Sequence, residues 1–324
     1  MTHGIVMLTT GGPEVLQWSE ISLPRLKRNE VRVRHTVVGV NYIDVYDRTG
    51  LYSRPLPSGL GREAAGVVEE VGSGVTSVVV GERVAYVLAS PGSYAEVRHV
   101  PAEKLVKLPA SITDEQGAAM MLKGLTAQYL LRRTSKVRKG DQILVHAAAG
   151  GVGLLLCQWA SALGAEVIGV VSSDAKAALA RADGAHEVIV TPREDLVSRV
   201  RELTRGKGVS IVYDAVGKDT FFQSLDCLRR LGVMVSYGNA SGPVTPFSVS
   251  ELAKRGSLFV TRPSLFDYIA SRAELNRASR ELFDIVERGV VKIQIGQRYA
   301  LSNAAQAHRD LEARVTTGQT VLTL

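Results

Sequence analysis

The chain has 324 residues, of which 45% are apolar and 22% are charged. A chain of this length buries enough surface to fold without disulfide bonds or a structural metal, and its length favours about two domains. No apolar run reaches the roughly 18 residues of a membrane-spanning helix. The N-terminus lacks the pattern of a signal peptide, and two cysteines cannot form a disulfide framework. These features argue against a membrane protein and predict a cytoplasmic one.

The net charge is +7, from 39 basic and 32 acidic residues. The basic residues are scattered in short groups such as Arg132-Arg133 and Arg229-Arg230. No long block of like charges and no nucleic-acid-binding motif occurs, which argues against a nucleic-acid partner. A small phosphate-bearing ligand and a solvated surface account for the excess of positive charge.

The pattern of apolar residues divides the chain into three zones. Residues 1 to about 110 contain short β-branched runs broken by Gly and Pro, which predict an antiparallel, barrel-like domain: 31–34, 66–72 and 78–84. From about 125 to 265, six apolar segments predict strands: 143–147, 166–171, 187–190, 209–215, 233–237 and 257–261. Helical patterns lie between them: 152–163, 175–182, 194–204 and 221–229. This alternation predicts βαβ units and a parallel sheet covered on both faces. The remaining residues predict two helices and a strand: 275–288, 304–314 and 320–324.

A glycine-rich turn after the first of these six strands is the most informative segment. The strand runs into Ala147-Ala148-Ala149 and then Gly150-Gly151-Val152-Gly153, where an amphipathic helix begins. Phosphate binding requires free backbone N–H groups at a helix N-terminus with no Cβ in the way, and Gly153 would let the helix pack close to the strand. An ordinary tight turn is the alternative. The strand–turn–helix context at the start of a βαβ series favours a dinucleotide site.

The residues after the second strand of this series indicate which dinucleotide binds. NAD sites usually place Asp or Glu there, about 20 residues after the glycines, to bind the ribose hydroxyls. Val171 stands at that position, and Ser172, Ser173 and Lys176 follow. Hydroxyl groups and a cation suit the 2′-phosphate of NADPH, and Asp174 suits the first turn of the next helix. We therefore expect NADPH rather than NADH.

The residues around the turn resemble the signature of a known family. The pattern Gly140-Asp141-x-x-Leu144-x-x-x-Ala148-Ala149-Gly150-Gly151-x-Gly153-x-x-x-x-Gln158-x-x-Ser161 is similar to that of the quinone oxidoreductase/ζ-crystallin branch of the medium-chain dehydrogenase/reductase superfamily. It is closest to the bacterial NADPH:quinone oxidoreductases. Further matches run along almost the whole chain: Gly11 to Leu16, Asn41 to Asp44, Leu60 to Gly66, Leu122 to Thr126 and Val260 to Leu265.

The resemblance implies an α/β fold with two domains and a cofactor cleft at their junction. These are a GroES-like, β-rich catalytic domain (residues 1–124 and 267–324) and a Rossmann domain with a doubly wound parallel sheet (residues 125–266). The resemblance also implies a homodimer that transfers an electron or a hydride from NADPH to a small-molecule quinone. Two alternatives follow from related proteins. One is reduction of an activated C=C bond in an enal or enone, and the other is nucleotide or RNA binding by a crystallin-like protein.

Metal chemistry is not expected. In zinc-dependent relatives the catalytic ligands fall at the positions of Asn41, Arg62 and Lys123 in this sequence. An amide, a guanidinium and an ammonium group cannot replace the Cys, His or carboxylate ligands that Zn²⁺ requires. Without such a metal nothing evident polarises an alcohol for oxidation, which argues against alcohol dehydrogenation.

By the same resemblance, several segments contact the coenzyme. Those at the nicotinamide end are Asn41, Tyr42, Ile43, Asp44, Tyr46, Thr126 and Tyr129. Gly151 and Val152 meet the pyrophosphate, and Ser172, Ser173 and Lys176 meet the 2′-phosphate. Those bordering the ribose and the nicotinamide are Val216, Gly238, Asn239, Ala240, Ser241, Pro263, Ser264 and Leu265. Arg314 matches a late arginine that reaches the coenzyme, and Thr191 stands where close relatives carry an aromatic residue near the adenosine phosphate.

Quinone reduction needs little acid–base help, because the electron-poor ring accepts the transferred charge. An electropositive pocket still lowers the barrier by stabilising that charge as it develops. The candidate pocket residues are Asn41, Tyr46 and Tyr52. Tyr52 could bind the acceptor oxygen or stack on its ring, and the alternative is that either tyrosine only packs in the pocket wall.

Three other polar residues are expected to be structural. Lys123 and Arg62 should form charge pairs with Glu63 or Asp44 rather than act in catalysis, since ion-pair networks commonly hold such groups. His146 ends the strand before the glycine-rich turn, and we expect it to pack there rather than transfer protons.

Overall fold

The computed structural model describes all residues from Met1 to Leu324. The chain divides into two compact units. Unit 1 comprises Met1–Leu125, Ile269–Glu287 and Ile293–Leu324, and unit 2 comprises Thr126–Tyr268 and Arg288–Lys292. None of the helices combines the length and the apolar character needed to cross a lipid bilayer.

The strands in chain order are β1 (Thr2–Met7), β2 (Gln17–Ile21), β3 (Glu30–Val40), β4 (Ser58–Gly59), β5 (Glu63–Val71), β6 (Arg83–Val87), β7 (Val97–Pro101), β8 (Leu105–Lys107), β9 (Gln142–His146), β10 (Glu166–Val171), β11 (Glu187–Val190), β12 (Val209–Asp214), β13 (Leu228–Ser236), β14 (Phe259–Thr261), β15 (Ile295–Ala300) and β16 (Gln319–Thr323). The α-helices are α1 (Tyr42–Thr49), α2 (Asp114–Tyr129), α3 (Gly151–Ala162), α4 (Asp174–Ala182), α5 (Leu196–Leu203), α6 (Phe221–Cys227), α7 (Ser250–Lys254), α8 (Leu265–Tyr268), α9 (Arg272–Glu287) and α10 (Ala304–Glu312).

Unit 1 is built on two sheets. The larger, of seven strands, has the order β15-β16-β3-β5-β6-β8 with β7 also paired to β3, and the smaller has the order β2-β1-β4. All pairs are antiparallel except β15 with β16. Inward-facing side chains such as Val33, Tyr86 and Leu322 are 0% exposed and form the core. The antiparallel, β-rich character predicted for the first zone is confirmed.

The strand predicted at residues 78–84 is wrong in its position. The strand β6 begins only at Arg83, and Val79 is 60% exposed. Gly81 has a φ of +90°, and the Glu82 N–H donates to the Val79 carbonyl at 3.2 Å. The left-handed glycine therefore closes a turn where the β-branched residues predicted an extended chain.

Unit 2 contains a six-stranded parallel sheet in the order β11-β10-β9-β12-β13-β14. The chain moves outward from β9 to β11 and then returns to the other side of β9 with β12. Because every pair is parallel, the carboxyl ends of all six strands lie at one edge. The reversal between β9 and β12 is a topological switch point, the place where open α/β sheets bind ligands.

Four helices, α1, α2, α7 and α8, were not predicted from the sequence, and one predicted helix is too long. The helix predicted at 221–229 ends at Cys227, because Leu228 already pairs with Val209 at the start of β13. The helix α2 was missed altogether. Residues 118–121 in its middle are all 0% exposed, so the one-sided apolar stripe that marks a surface helix is absent.

Candidate functional site

One edge of the unit 2 sheet carries the segments that the sequence assigned to the coenzyme in this unit. Residues 147–153 follow β9, 172–176 follow β10, 215–217 follow β12, 238–241 follow β13, and 263–265 follow β14. Each segment leaves the carboxyl end of a parallel strand. These ends flank the switch point, which is where a dinucleotide binds in a doubly wound sheet.

The turn after β9 leads tightly into α3. Ala147 has a φ of +50°, and the Gly150 N–H donates to the Ala147 carbonyl at 2.8 Å. The helix α3 begins at Gly151, with the half-buried Val152 next. A Cβ on Gly153 would lie 2.2 Å from the Ala147 carbonyl oxygen, so glycine is needed for the helix to lie this close to the strand. Only Ala and Gly precede the helix N-terminus, whose dipole favours a pyrophosphate.

The residues after β10 present two hydroxyls and a cation. Ser172 is exposed, and Ser173 caps α4 by accepting a hydrogen bond from the Lys176 backbone N–H at 3.4 Å. Asp174 lies in the first turn of α4, as predicted, and forms an ion pair of 2.5 Å with Arg193. The guanidinium of Arg193 therefore compensates the negative charge of Asp174. This reduces the repulsion between Asp174 and a phosphate bound near Lys176.

Thr191 directly follows β11 and is exposed. Its N–H and its Oγ1 both donate to the Val171 carbonyl, at 3.1 and 3.4 Å. Thr191 thus continues the pairing of β10 with β11 by one residue, and it presents no aromatic ring at this place.

The loops after β12 and β13 are fastened to each other. The Ser241 N–H and its Oγ donate to the Val216 carbonyl at 2.8 and 2.9 Å. A Cβ on Gly238 would lie 2.3 Å from the Ala215 carbonyl oxygen, so glycine permits the close approach of the two loops. Val216 and residues 239–241 remain half-buried and border the edge of the sheet.

The remaining unit 2 candidates are more deeply buried. Residues 263–265 follow β14 and lead into α8, with only Ser264 half-buried. Thr126 is 6% exposed and Tyr129 is 3% exposed. The Tyr129 ring stacks on Tyr268 with centroids 4.3 Å apart, and burial raises the pKa of Tyr129. The Tyr129 hydroxyl therefore keeps its proton at neutral pH.

In unit 1, Asn41 starts the helix α1. Its backbone N–H donates to Asp44 Oδ2 at 2.9 Å, as in a capping box, and its Nδ2 donates to Glu63 Oε2 at 2.8 Å. Asp44 is 0% exposed and also accepts a hydrogen bond from the Tyr94 hydroxyl at 3.0 Å. Burial raises the pKa of Asp44 to about 7. The Asp44 carboxyl is thus engaged inside unit 1, while residues 42–43 are half-buried.

Glu63 and Lys123 form a buried pair. Lys123 Nζ lies 3.9 Å from Glu63 Oε2 and donates to the Val40 carbonyl at 2.9 Å, and Glu63 accepts from the Leu122 N–H at 2.6 Å. Burial raises the pKa of Glu63 and lowers the pKa of Lys123, because it disfavours the charged form of each. The predicted pairing of Lys123 with Glu63 is confirmed.

The ion-pair partner of Arg62 is Asp47 rather than the predicted Glu63 or Asp44, although the charge of Arg62 also acts to lower the pKa of Asp44. Arg62 donates from Nε and Nη2 to the two oxygens of Asp47, at 2.8 Å each, and Arg54 lies 3.2 Å from the same carboxylate. Asp47 is 1% exposed. Glu63 is already held by Lys123, and Asp44 by its helix N-terminus, so the third buried acid of this unit takes the guanidinium.

Three tyrosine rings lie in series along and after α1. The centroids of Tyr42 and Tyr46 are 5.4 Å apart, and those of Tyr46 and Tyr52 are 5.2 Å apart. Tyr46 is 8% exposed, whereas Tyr52 is half-buried. Burial raises the pKa of Tyr42, and the charges of Glu312 and Arg314 act on it in opposite directions. The structure therefore places Arg314 near α1, and the sequence predicted that both contact the coenzyme.

The residues at the expected metal positions do not fit zinc. Asn41, Arg62 and Lys123 offer no thiolate, imidazole or carboxylate, and each is held by an acid of unit 1. No group of three or more His, Cys, Asp or Glu side chains in the chain could hold a metal ion. These three side chains therefore do not form a zinc site.

One polar centre of unit 2 was not predicted from the sequence. Asp214, the last residue of β12, is 0% exposed and accepts four hydrogen bonds, one of them from Ser224. His146 contacts the same Ser224 at 2.8 Å. The available signal was an acid at the end of a predicted strand, directly before a glycine, because a buried carboxylate requires hydrogen-bond donors such as backbone N–H groups.

A β-rich unit and a parallel sheet with a glycine-rich turn at its switch point define the two-domain architecture of the medium-chain dehydrogenases/reductases. The model of the alcohol dehydrogenase GroES-like domain matches residues 27–110, and that of the zinc-binding dehydrogenases matches residues 151–279. None of the three expected metal positions lies within the second match.

The whole chain is similar to characterised relatives. It is 53% identical to a quinone oxidoreductase of Pseudomonas aeruginosa over 99% of both chains, and 46% identical to a 2-haloacrylate reductase of a Burkholderia species, again over 99% of both. The solved structure of Escherichia coli quinone oxidoreductase complexed with NADPH superimposes with a TM-score of 0.98 at 50% identity, over 100% of both chains. The chain belongs to the quinone oxidoreductase family, and the predicted fold class is confirmed.

Proposed function

We propose that this protein is an NADPH-dependent quinone reductase that works without zinc. The observation that carries the proposal is the carboxyl edge of the unit 2 sheet. A glycine-rich helix start for a pyrophosphate lies beside a strand end with Ser172, Ser173 and Lys176 instead of an acid. The E. coli relative that superimposes on the whole chain was crystallised with NADPH, which supports the same coenzyme here.

The proposal keeps the coenzyme contacts expected from the sequence. In unit 1 they are Asn41, Tyr42, Ile43, Asp44, Tyr46 and Arg314. In unit 2 they are Thr126, Tyr129, Gly150, Gly151, Val152, Gly153, Ser172, Ser173, Lys176, Thr191, Val216, Gly238, Asn239, Ala240, Ser241, Pro263, Ser264 and Leu265. Bound NADPH would supply reducing equivalents from its nicotinamide ring. The burial of Asp44, Thr126 and Tyr129 means that these three act by shaping the backbone and the pocket wall.

The acceptor would be a small quinone held by Asn41, Tyr46 and Tyr52. The half-buried Tyr52 carries a phenol that can donate a hydrogen bond to a quinone oxygen. A quinone needs stabilisation of charge rather than a strong acid, because its reduced oxyanion is stable near neutral pH.

Three broader features belong to the proposal. We assign catalysis and acceptor binding to a domain of residues 1–124 and 267–324, and dinucleotide binding to residues 125–266. We place the protein in the cytoplasm, as a homodimer. The three-residue strand β14 supports dimerisation, because it is an open sheet edge with Phe259 59% exposed and could pair with its copy.

Reduction of an activated C=C bond is the second candidate. It is favoured by the 46% identity to a 2-haloacrylate reductase, whose name describes such a substrate. This reaction requires that a proton is delivered to Cα. A proton donor such as the Tyr52 phenol would therefore be more important than in quinone reduction.

Steady-state oxidation of NADPH separates the two candidates. The acceptors are 9,10-phenanthrenequinone, 1,4-benzoquinone and a series of 2-alkenals, each with heat-inactivated protein as the control. We expect turnover with the quinones to exceed turnover with the alkenals. Quinone turnover no faster than the heat-inactivated control would remove the leading proposal, and fast turnover of alkenals alone would establish the second.

A further inference from the structure

The Asp214 carboxylate at the end of β12 is fully hydrogen-bonded although it is 0% exposed. Its Oδ1 accepts from the N–H groups of Val216 at 2.7 Å and Gly217 at 3.1 Å. Its Oδ2 accepts from Thr220 Oγ1 at 2.7 Å and from Ser224 Oγ at 3.0 Å. Asp214 thus holds the backbone of the loop that contains Val216, and two hydroxyls hold Asp214.

The hydrogen-bond direction at Ser224 can be deduced. A serine hydroxyl has one proton, and Ser224 Oγ donates it to Asp214 Oδ2 at 3.0 Å. The 2.8 Å contact between His146 Nε2 and Ser224 Oγ must then be a bond that His146 donates. Ser224 therefore selects the imidazole form with its proton on Nε2, and it joins His146 to Asp214.

This bridge begins where the backbone pairing of the two strands stops. The last paired residues of β9 and β12 are Val145 and Tyr213, each one position before the bridged residues. His146 leads directly into the glycine-rich turn, and Asp214 leads into the loop of Val216. Beyond the end of the backbone pairing, the side chain of Ser224 on α6 joins the two residues that directly precede the loops at the switch point.

We propose that Ser224 is a positioning residue for the coenzyme. The inference rests on the proposed function: the bridge from His146 through Ser224 to Asp214 holds the pyrophosphate turn and the 215–217 loop at the separation that NADPH requires. Ser224 itself is 0% exposed and does not contact ligand. Breaking the bridge should therefore loosen binding of the pyrophosphate and the nicotinamide half, and leave the 2′-phosphate residues after β10 in place.

The first test is Ser224→Ala, with Ser210→Ala as the matched control. Ser210 lies in the same strand as Asp214 but at its amino end, and its hydroxyl donates to the Gln142 carbonyl at 2.7 Å. Both changes remove one largely buried serine hydroxyl of unit 2. We expect the Kd for NADPH, measured by fluorescence titration, to rise about tenfold in Ser224→Ala, the equivalent of one net hydrogen bond. In Ser210→Ala it should stay within twofold of the unmodified protein.

A second ligand distinguishes positioning from general damage. Adenosine 2′,5′-bisphosphate carries the 2′-phosphate but neither the full pyrophosphate nor the nicotinamide. Its inhibition constant should be unchanged in Ser224→Ala, since Ser172, Ser173 and Lys176 follow another strand. Equal weakening of both ligands would show that the substitution disturbs the whole unit and would overturn the inference.

Two variants at His146 test the same bridge from its other end and keep it testable if Ser224→Ala does not fold. The amide nitrogen of His146→Gln can replace Nε2–H as a donor, so NADPH affinity should stay within about threefold. His146→Leu has no donor and should match the loss seen in Ser224→Ala. Unchanged NADPH affinity in both Ser224→Ala and His146→Leu would contradict the positioning role of Ser224 and leave the proposed function intact. If the unmodified protein binds no NADPH, both the proposed function and the positioning role are wrong.

Discussion

Arg48 Nη2 donates to Glu312 Oε1 at 2.7 Å, although the two residues are 264 positions apart. Arg48 belongs to α1 and Glu312 ends α10, so this bond fastens the first helix of the chain to its last. The two partners are buried unequally: the Arg48 side chain is 1% exposed and that of Glu312 is 32% exposed. Arg314 follows two residues later in a left-handed conformation with a φ of +59°.

The unequal burial predicts an unequal cost when either partner is removed. Glu312→Gln leaves an uncompensated guanidinium in the core and should lower the free energy of unfolding by about 3 kcal/mol. Arg48→Met leaves a carboxylate that water already reaches, and should cost only about 1 kcal/mol. Urea unfolding of both variants measures the difference.

Arg298→Met is the control for this pair of variants. It breaks the exposed pair of Arg298 with Glu115, whose side chains are 52% and 34% exposed, and should cost less than about 0.5 kcal/mol. A Glu312→Gln variant no less stable than Arg48→Met would show that burial of Arg48 does not control this interaction.

Lys176 should determine the preference for NADPH over NADH. In Lys176→Ala a charged hydrogen bond to the 2′-phosphate is lost, which is worth about 1.5–3 kcal/mol and raises KM for NADPH roughly 10- to 100-fold. The KM for NADH should change less than about twofold, since NADH has no phosphate there. Steady-state kinetics with both coenzymes tests this, with Lys207→Ala, an exposed lysine before the amino end of β12, as the control. An equal effect on both coenzymes would place the phosphate site elsewhere.

The parts of the site that could be predicted from sequence are those in which neighbouring residues determine the structure. The turn at Gly150 to Gly153 and the cap at Ser173 are such parts, because strand, turn and helix follow each other within a few positions. The buried pairs were not predictable in this way. The acid that binds Arg62 is Asp47, not Asp44. Ser224, which contacts His146, lies 78 positions from it in the chain. Which acid meets which base depends on how the strands are ordered, and the sequence pattern does not encode that order locally.

Removal of metal ions should leave activity unchanged. Asn41, Arg62 and Lys123 cannot ligate Zn²⁺, and their side chains are already bonded to Glu63 and Asp47. Dialysis against EDTA or addition of 1,10-phenanthroline should therefore leave the rate of NADPH oxidation within experimental error of the untreated protein. A loss of rate that added zinc restores would contradict the proposed zinc-independent chemistry.

Asp44 makes the stability of the protein depend on pH in an unusual direction. Burial raises the pKa of this carboxyl to about 7 from an ordinary value of 3.8, and the charge of Asp47 adds to the effect. The folded state therefore binds a proton that the unfolded state releases between these two pH values. The stability contributed by the protonated carboxyl is complete below about pH 4 and is lost as the pH rises to about 7.

The variant Asp44→Asn lacks this titration, although it also weakens the start of α1. The difference in unfolding free energy, unmodified protein minus variant, should thus fall by on the order of 2–4 kcal/mol between pH 4 and pH 8. Urea unfolding of both proteins at several pH values measures it, with the exposed Asp267→Asn as the control that should follow the unmodified protein. A constant difference across this range would show that folding does not raise the pKa of Asp44.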